Sequence, residues 1–94
     1  MAFTTTFWQD FTIADAFGAD AVKDTFKRAF DGWKHDYMYL TDLVMVLNHK
    51  IWQHYGNGNE EMARLYNELW RKADVYACDN LKGMELDYFY TTTD

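Results

Sequence analysis

The sequence predicts an all-α protein: a small antiparallel helical bundle of three long helices plus a short N-terminal helix, in one domain spanning residues 1–94. Three observations lead there. Apolar residues recur every three or four positions through most of the chain, the period of a helix with one buried face. Opposite charges sit three or four residues apart, as on a solvated helix surface. Proline is absent, and four of the five glycines, Gly18, Gly56, Gly58 and Gly83, fall between the periodic segments.

The first helix is expected near 7–17, where Phe7, Trp8, Phe11, Ile13 and Phe17 cluster. Thr4, Thr5 and Thr6 offer caps at its start, Gly18 a stop at its end, and Thr12 a point of interruption. The second, near 19–35, has Val22, Phe26, Ala29, Phe30 and Trp33 in helical register. Asp24 pairs in spacing with Lys27 and Arg28, and Lys27 with Asp31.

The third helix, near 38–55, is the most apolar. Leu40, Leu43, Val44, Leu47 and Ile51 form one stripe, while Met45 and Trp52 lie on roughly the opposite side with His49 between them. A helix that is apolar on two sides is central or has a second partner. The turn GNGN follows, with Gly56 placed for a left-handed residue and Asn59 for a cap. The fourth helix, near 59–81, carries Met62, Leu65, Tyr66, Leu69, Trp70, Ala73, Tyr76 and Ala77, with Glu60 and Glu61 at its positive end. The tail 84–94 is aromatic (Tyr88, Phe89, Tyr90). It is expected to dock on the bundle, as one more helical turn or as an extended run.

Bulk composition narrows the function. Aromatics are 19% of the chain, a dense supply of burial for a small core. The net charge of −6 disfavours direct nucleic-acid binding, which depends on Lys and Arg neutralising phosphates, and disfavours an anionic membrane surface. No secretion signal and no long apolar run is visible, so the expected compartment is the cytoplasm. A single cysteine, Cys78, leaves no internal disulfide.

Sites of chemistry are scarce. His49 and His54 are five residues apart, about 140° around a helix, whereas two histidines binding one zinc from one helix need a spacing of three or four. His54 reads as a packing or capping residue at a helix end. Lys50 reads as a solvent-facing cation near the same end. Asp31 lies four residues before His35 and could orient its ring, but no nucleophile accompanies them. Cys78 lies inside a helix, where a buried or half-buried structural thiol is expected. The eleven aspartates form no calcium-loop pattern, and GNGN lacks the lysine of a phosphate loop. No cofactor, metal or catalytic residue is therefore assigned. One remaining candidate, beside a partner-binding edge on the acidic aromatic tail with Asp79, Glu85 and Asp87, is a protein-binding face on the third helix, made by Met45, His49 and Trp52 and joined by Asp42, because Met and Trp are enriched at interfaces. The first helix or the aromatic tail could instead cover it.

The runs FWQDFTIADAFG, KDTFKRAF and YLTDLVMVLNHKIWQHYGNGNEEMARLYNELW resemble a family of small helical accessory proteins carried by conjugative and phage-like elements of gut Firmicutes. The resemblance covers nearly the whole chain. It implies a bacterial cytoplasmic protein with an accessory role, and brings no reaction and no site residues. The function expected is a non-enzymatic interaction module that binds a protein partner or itself. Two alternatives stand beside it. One is an acidic nucleic-acid mimic that inhibits a host DNA-binding defence protein. The other is a small enzyme.

Overall fold

A computed structural model describes residues 5–93. The chain forms five helices: α1 (Phe7–Phe17), α2 (Ala19–Trp33), α3 (Tyr37–Gly56), α4 (Glu60–Asn80) and α5 (Met84–Thr93). The first four match the expected segments to within two residues at each end. The tail is the difference: α5 is a full fifth helix where a single turn or an extended run was expected. A ten-residue helix is marginal alone, and only Leu86 and Phe89 mark its inner face. Docking decides its conformation, with Phe89 fully buried and Tyr88 edge-on to Tyr37 at 5.4 Å between ring centroids. Asp94, the last residue of the tail, lies outside the described residues.

The caps explain where the long helices start. Asp36 accepts from the backbone N–H groups of Met38 and Tyr39, which opens α3. Asn59 accepts from Met62 N–H at 3.2 Å, which opens α4 as its sequence position suggests. At α1 the residue before the helix, Thr6, makes no such cap; its hydroxyl bonds Asp10, and the Thr5 hydroxyl accepts from Phe7 N–H instead. Thr4 lies outside the described residues. α1 runs through Thr12 without a break, with the Thr12 hydroxyl donating back to the Trp8 carbonyl at 2.8 Å. In GNGN the left-handed residue is Gly58, with φ of 76°, and Gly56 is the last residue of α3.

α3 is the central helix and touches all four others. Its buried residues run nearly around it, from Leu40, Leu43, Val44 and Leu47 to Val46 and Ile51. α4 folds back along it through the turn at 57–59. Phe7, Phe11 and Ala14 bring α1 to the same core, where Phe11 meets Tyr66 edge-on at 5.7 Å. Each fully buried side chain of this size contributes about 1.5–3 kcal/mol of transfer free energy. The expected surface pairs Asp24–Arg28 and Lys27–Asp31 form on exposed faces, as does Glu60–Arg64. Exposed pairs of this kind are worth a few tenths of a kcal/mol each. No helix among the described residues is long and apolar enough to cross a membrane.

One residue, Gly18, joins α1 to α2 with φ of 104° and ψ of −173°. L-residues avoid that region, so glycine is required by backbone conformation and not by space: a Cβ there would meet nothing within 4 Å. Gly18→Ala is expected to destabilise the protein by about 1–3 kcal/mol, as measured by urea denaturation, with far-UV circular dichroism of the folded state unchanged.

Candidate functional site

The chemically capable residues gather where α1, α3 and α4 meet. Lys50, expected to face solvent, is fully buried. An unpaired ammonium in that position would cost several kcal/mol, and the structure compensates it completely. Its three N–H donors reach Thr12 Oγ1 at 2.9 Å, Asp15 Oδ2 at 3.0 Å and Gln53 Oε1 at 3.0 Å. The Trp8 ring lies 4.3 Å from Nζ, an added cation–π contact.

Asp15 is the second centre of the network. Oδ2 also meets His54 Nε2 at 3.2 Å, and Oδ1 accepts from the Tyr66 hydroxyl at 2.5 Å. A carboxylate only accepts, so His54 donates from Nε2. His54 stacks on Tyr66 with 15° between ring planes. The histidine expected to cap or pack at a helix end is thus a buried member of a hydrogen-bonded cluster. Tyr66 is held well above the ordinary phenol range, first by burial, then by the hydrogen bond to Asp15 and by that carboxylate's charge. Every described buried side-chain nitrogen and oxygen has a partner.

This network links three helices but opens on none of the described grooves. Those run between α1 and α2, between α2 and α4, and between α3, α4 and α5, and other residues line them. Three acceptors satisfy Lys50 and three donors occupy Asp15. The arrangement ties α1, α3 and α4 together.

The protein-binding face expected on α3 is partly rearranged. Asp42 does not belong to it: the residue is buried and accepts a hydrogen bond from the Thr5 hydroxyl. Met45 is half-buried and, with His49, lines a groove of about 690 Å³ between α3, α4 and α5. His49 is exposed and meets Trp8 of α1 edge-on at 6.5 Å. Trp52 remains on the surface at 67% exposure, beside half-exposed Tyr55 at 6.0 Å between ring centroids. Both expected covers, the first helix and the tail, reach the Met45–His49 end; Trp52 stays open.

Cys78, expected to be buried or half-buried, is exposed, with Sγ 3.5 Å from the Tyr90 hydroxyl in the same groove. Asp31 bonds Lys27, and His35 pairs through Nδ1 with the Tyr76 hydroxyl at 3.3 Å. Among the described residues, no three His, Cys, Asp or Glu side chains converge as a metal-ligand set.

Sequence reading missed Thr12, Asp15, Gln53 and Tyr66 as partners of Lys50 and His54. The signal available was weak: Asp15 lies in a helix whose flanks contain no Lys or Arg within four residues, so it lacks the local partner that most other helical aspartates have.

Asp15→Ala leaves the buried ammonium without its counter-charge and is expected to cost about 3–5 kcal/mol. The apolar double replacement Asp15→Leu with Lys50→Met should lose less than that single change, and urea titration of both variants measures the difference. The raised Tyr66 pKa gives a second expectation. Above pH 10.0, the ordinary phenol value, the unfolded chain releases this proton while the folded chain keeps it. The Tyr66 contribution is therefore full below pH 10 and is lost as pH rises beyond it, by about 1.4 kcal/mol per unit. Tyr66→Phe should flatten stability against pH in that window.

Comparison with protein-family models, curated proteins and solved structures finds no match.

Proposed function

We propose that this chain is a non-enzymatic helical protein-interaction module whose binding face is the Trp52 side of α3. The observation that carries the proposal is Trp52 itself. Its indole is 67% exposed, and Tyr55 beside it is 50% exposed. A buried aromatic side chain removes about 150–250 Å² from water. Leaving two adjacent ones in solvent forgoes that gain, and Trp and Tyr are the side chains that most often anchor interfaces.

The platform beneath them is rigid. Lys50, Gln53 and His54, the neighbours of Trp52 along the helix, are fixed by the hydrogen-bonded network. A pre-ordered anchor loses less entropy when a partner binds. The adjoining groove, with Met45 and His49 on one wall, extends the surface toward α5. A role as a cytoplasmic accessory protein of a bacterial mobile element belongs to the same proposal and rests on the sequence resemblance.

The alternative of nucleic-acid mimicry has less support. A mimic needs a row of uncompensated carboxylates spaced like phosphates. Here Asp24, Asp31 and Glu60 are each engaged by a base on their own helix. The enzyme alternative is also less favoured, since Asp15, Lys50, His54 and Tyr66 are committed to one another.

Trp52→Asp tests the proposal. Tm is expected to shift by only a few degrees, because a surface change costs about 0.5 kcal/mol or less. In affinity capture from a bacterial lysate, a protein held by the wild-type bait should be lost with the variant bait. Equal retention of that protein by both baits would remove this face as the site.

A further inference from the structure

A different surface carries a second, independent conclusion. α1 and α2 lie side by side and enclose a groove of about 470 Å³. Its floor is small: Ala14 and Ala29 are buried and Ala21 is half-buried. Its rim is large and apolar, with Phe17 79%, Ile13 61% and Trp33 44% exposed. Knobs and a recess therefore occur in one patch. Self-association through a two-fold axis requires that combination, because each copy must supply both to the other.

We propose that this α1–α2 face is a homodimer interface, occupied by the same face of a second copy of the chain. The charges favour that occupant. Of the charges on α2, Asp24 and Arg28 line this groove, with Asp10 of α1, while Lys23, Lys27 and Asp31 line the groove between α2 and α4. The order of Asp24 and Arg28 is self-complementary. α2 spans Ala19–Trp33, so its midpoint is Phe26, and Asp24 and Arg28 stand two residues to either side.

A two-fold axis across that midpoint runs α2 antiparallel to its copy. Asp24 of each chain then meets Arg28 of the other. Phe17, at the Gly18 end of the groove, meets Trp33 of the other copy at the far end. Asp24 and Arg28 are 66% and 74% exposed and 3.4 Å apart within one chain, so exchanging partners uncovers nothing buried. A face two helices wide and roughly 20 Å long offers on the order of 600 Å² per copy, about where specific interfaces begin.

Size-exclusion chromatography with light scattering tests it on the full chain. At about 200 µM the wild type should have twice the 11.2 kDa of one chain, and should fall to one chain on dilution. Phe17→Asp should stay at one chain throughout with its helicity intact. Asp24→Arg makes both cross-pairing positions basic and Arg28→Asp makes both acidic, so each variant alone should dimerise at least tenfold more weakly. An equimolar mixture of the two should dimerise again, a recovery that no effect within one helix produces. Trp52→Asp should dimerise like the wild type, which separates this proposal from the preceding one. A wild type that stays at 11.2 kDa, a dimer that survives Phe17→Asp, or a mixture no tighter than its components would each overturn it.

Discussion

The buried ammonium of Lys50 constrains the rest of the molecule. A charge with no solvent contact must find acceptors at fixed distances, and two of its three belong to another helix. Thr12 and Asp15 reach Lys50 from one side of α1, so the axial position and rotation of α1 against α3 are set together. Packing alone would set them poorly. α1 has apolar residues on several sides, Phe7, Phe11 and Ala14 turned inward but Ile13 and Phe17 outward. Rotating the helix would exchange one apolar set for another at comparable gain. It would also strand Lys50, a far larger loss. Buried polar groups of this kind specify an arrangement more than they stabilise it.

The exposed apolar surfaces follow from that constraint. With α1 pinned by its polar side, Ile13 and Phe17 have no choice but the outer face, where they line the α1–α2 groove together with Trp33 of α2. On the other flank, α3 turns Lys50 and His54 inward. The helical period then places Trp52 and Tyr55 away from the core. Two patches of large side chains are thus left in water by the same network.

The aromatic content has a comparable logic. A chain of 94 residues has little interior. Pairs such as Phe11 with Tyr66, Phe26 with Phe30 and Phe7 with Tyr39 fill it with few residues. α5 depends on the same economy of space: buried Phe89 holds a helix too short to persist alone. The terminal helix closes one end of the α3–α4 groove and brings Tyr90 to the Cys78 thiol.

What the sequence determined by itself was local. The periods of Val22, Phe26 and Ala29, or of Leu65, Leu69 and Ala73, place helices because residues three and four apart share a face. Asn59 opens α4 because a cap acts over three residues, and Trp52 was legible as a surface candidate from its angle to the Leu47–Ile51 stripe. Tertiary structure decided what depends on distance along the chain. Lys50 meets Asp15 across 35 residues, His54 meets Asp15 across 39, and Tyr66 meets Asp15 across 51. No local pattern encodes such pairs, so a lysine that looked solvated became the most buried charge. Asp42, grouped with Met45, His49 and Trp52 by helical angle, was drawn inward by Thr5 across 37 residues. Cys78 came to the surface because the inner face of α4 was already taken by Ala73 and Ala77. Helical period ranks the sides of one helix; only contact with the others decides which sides are covered.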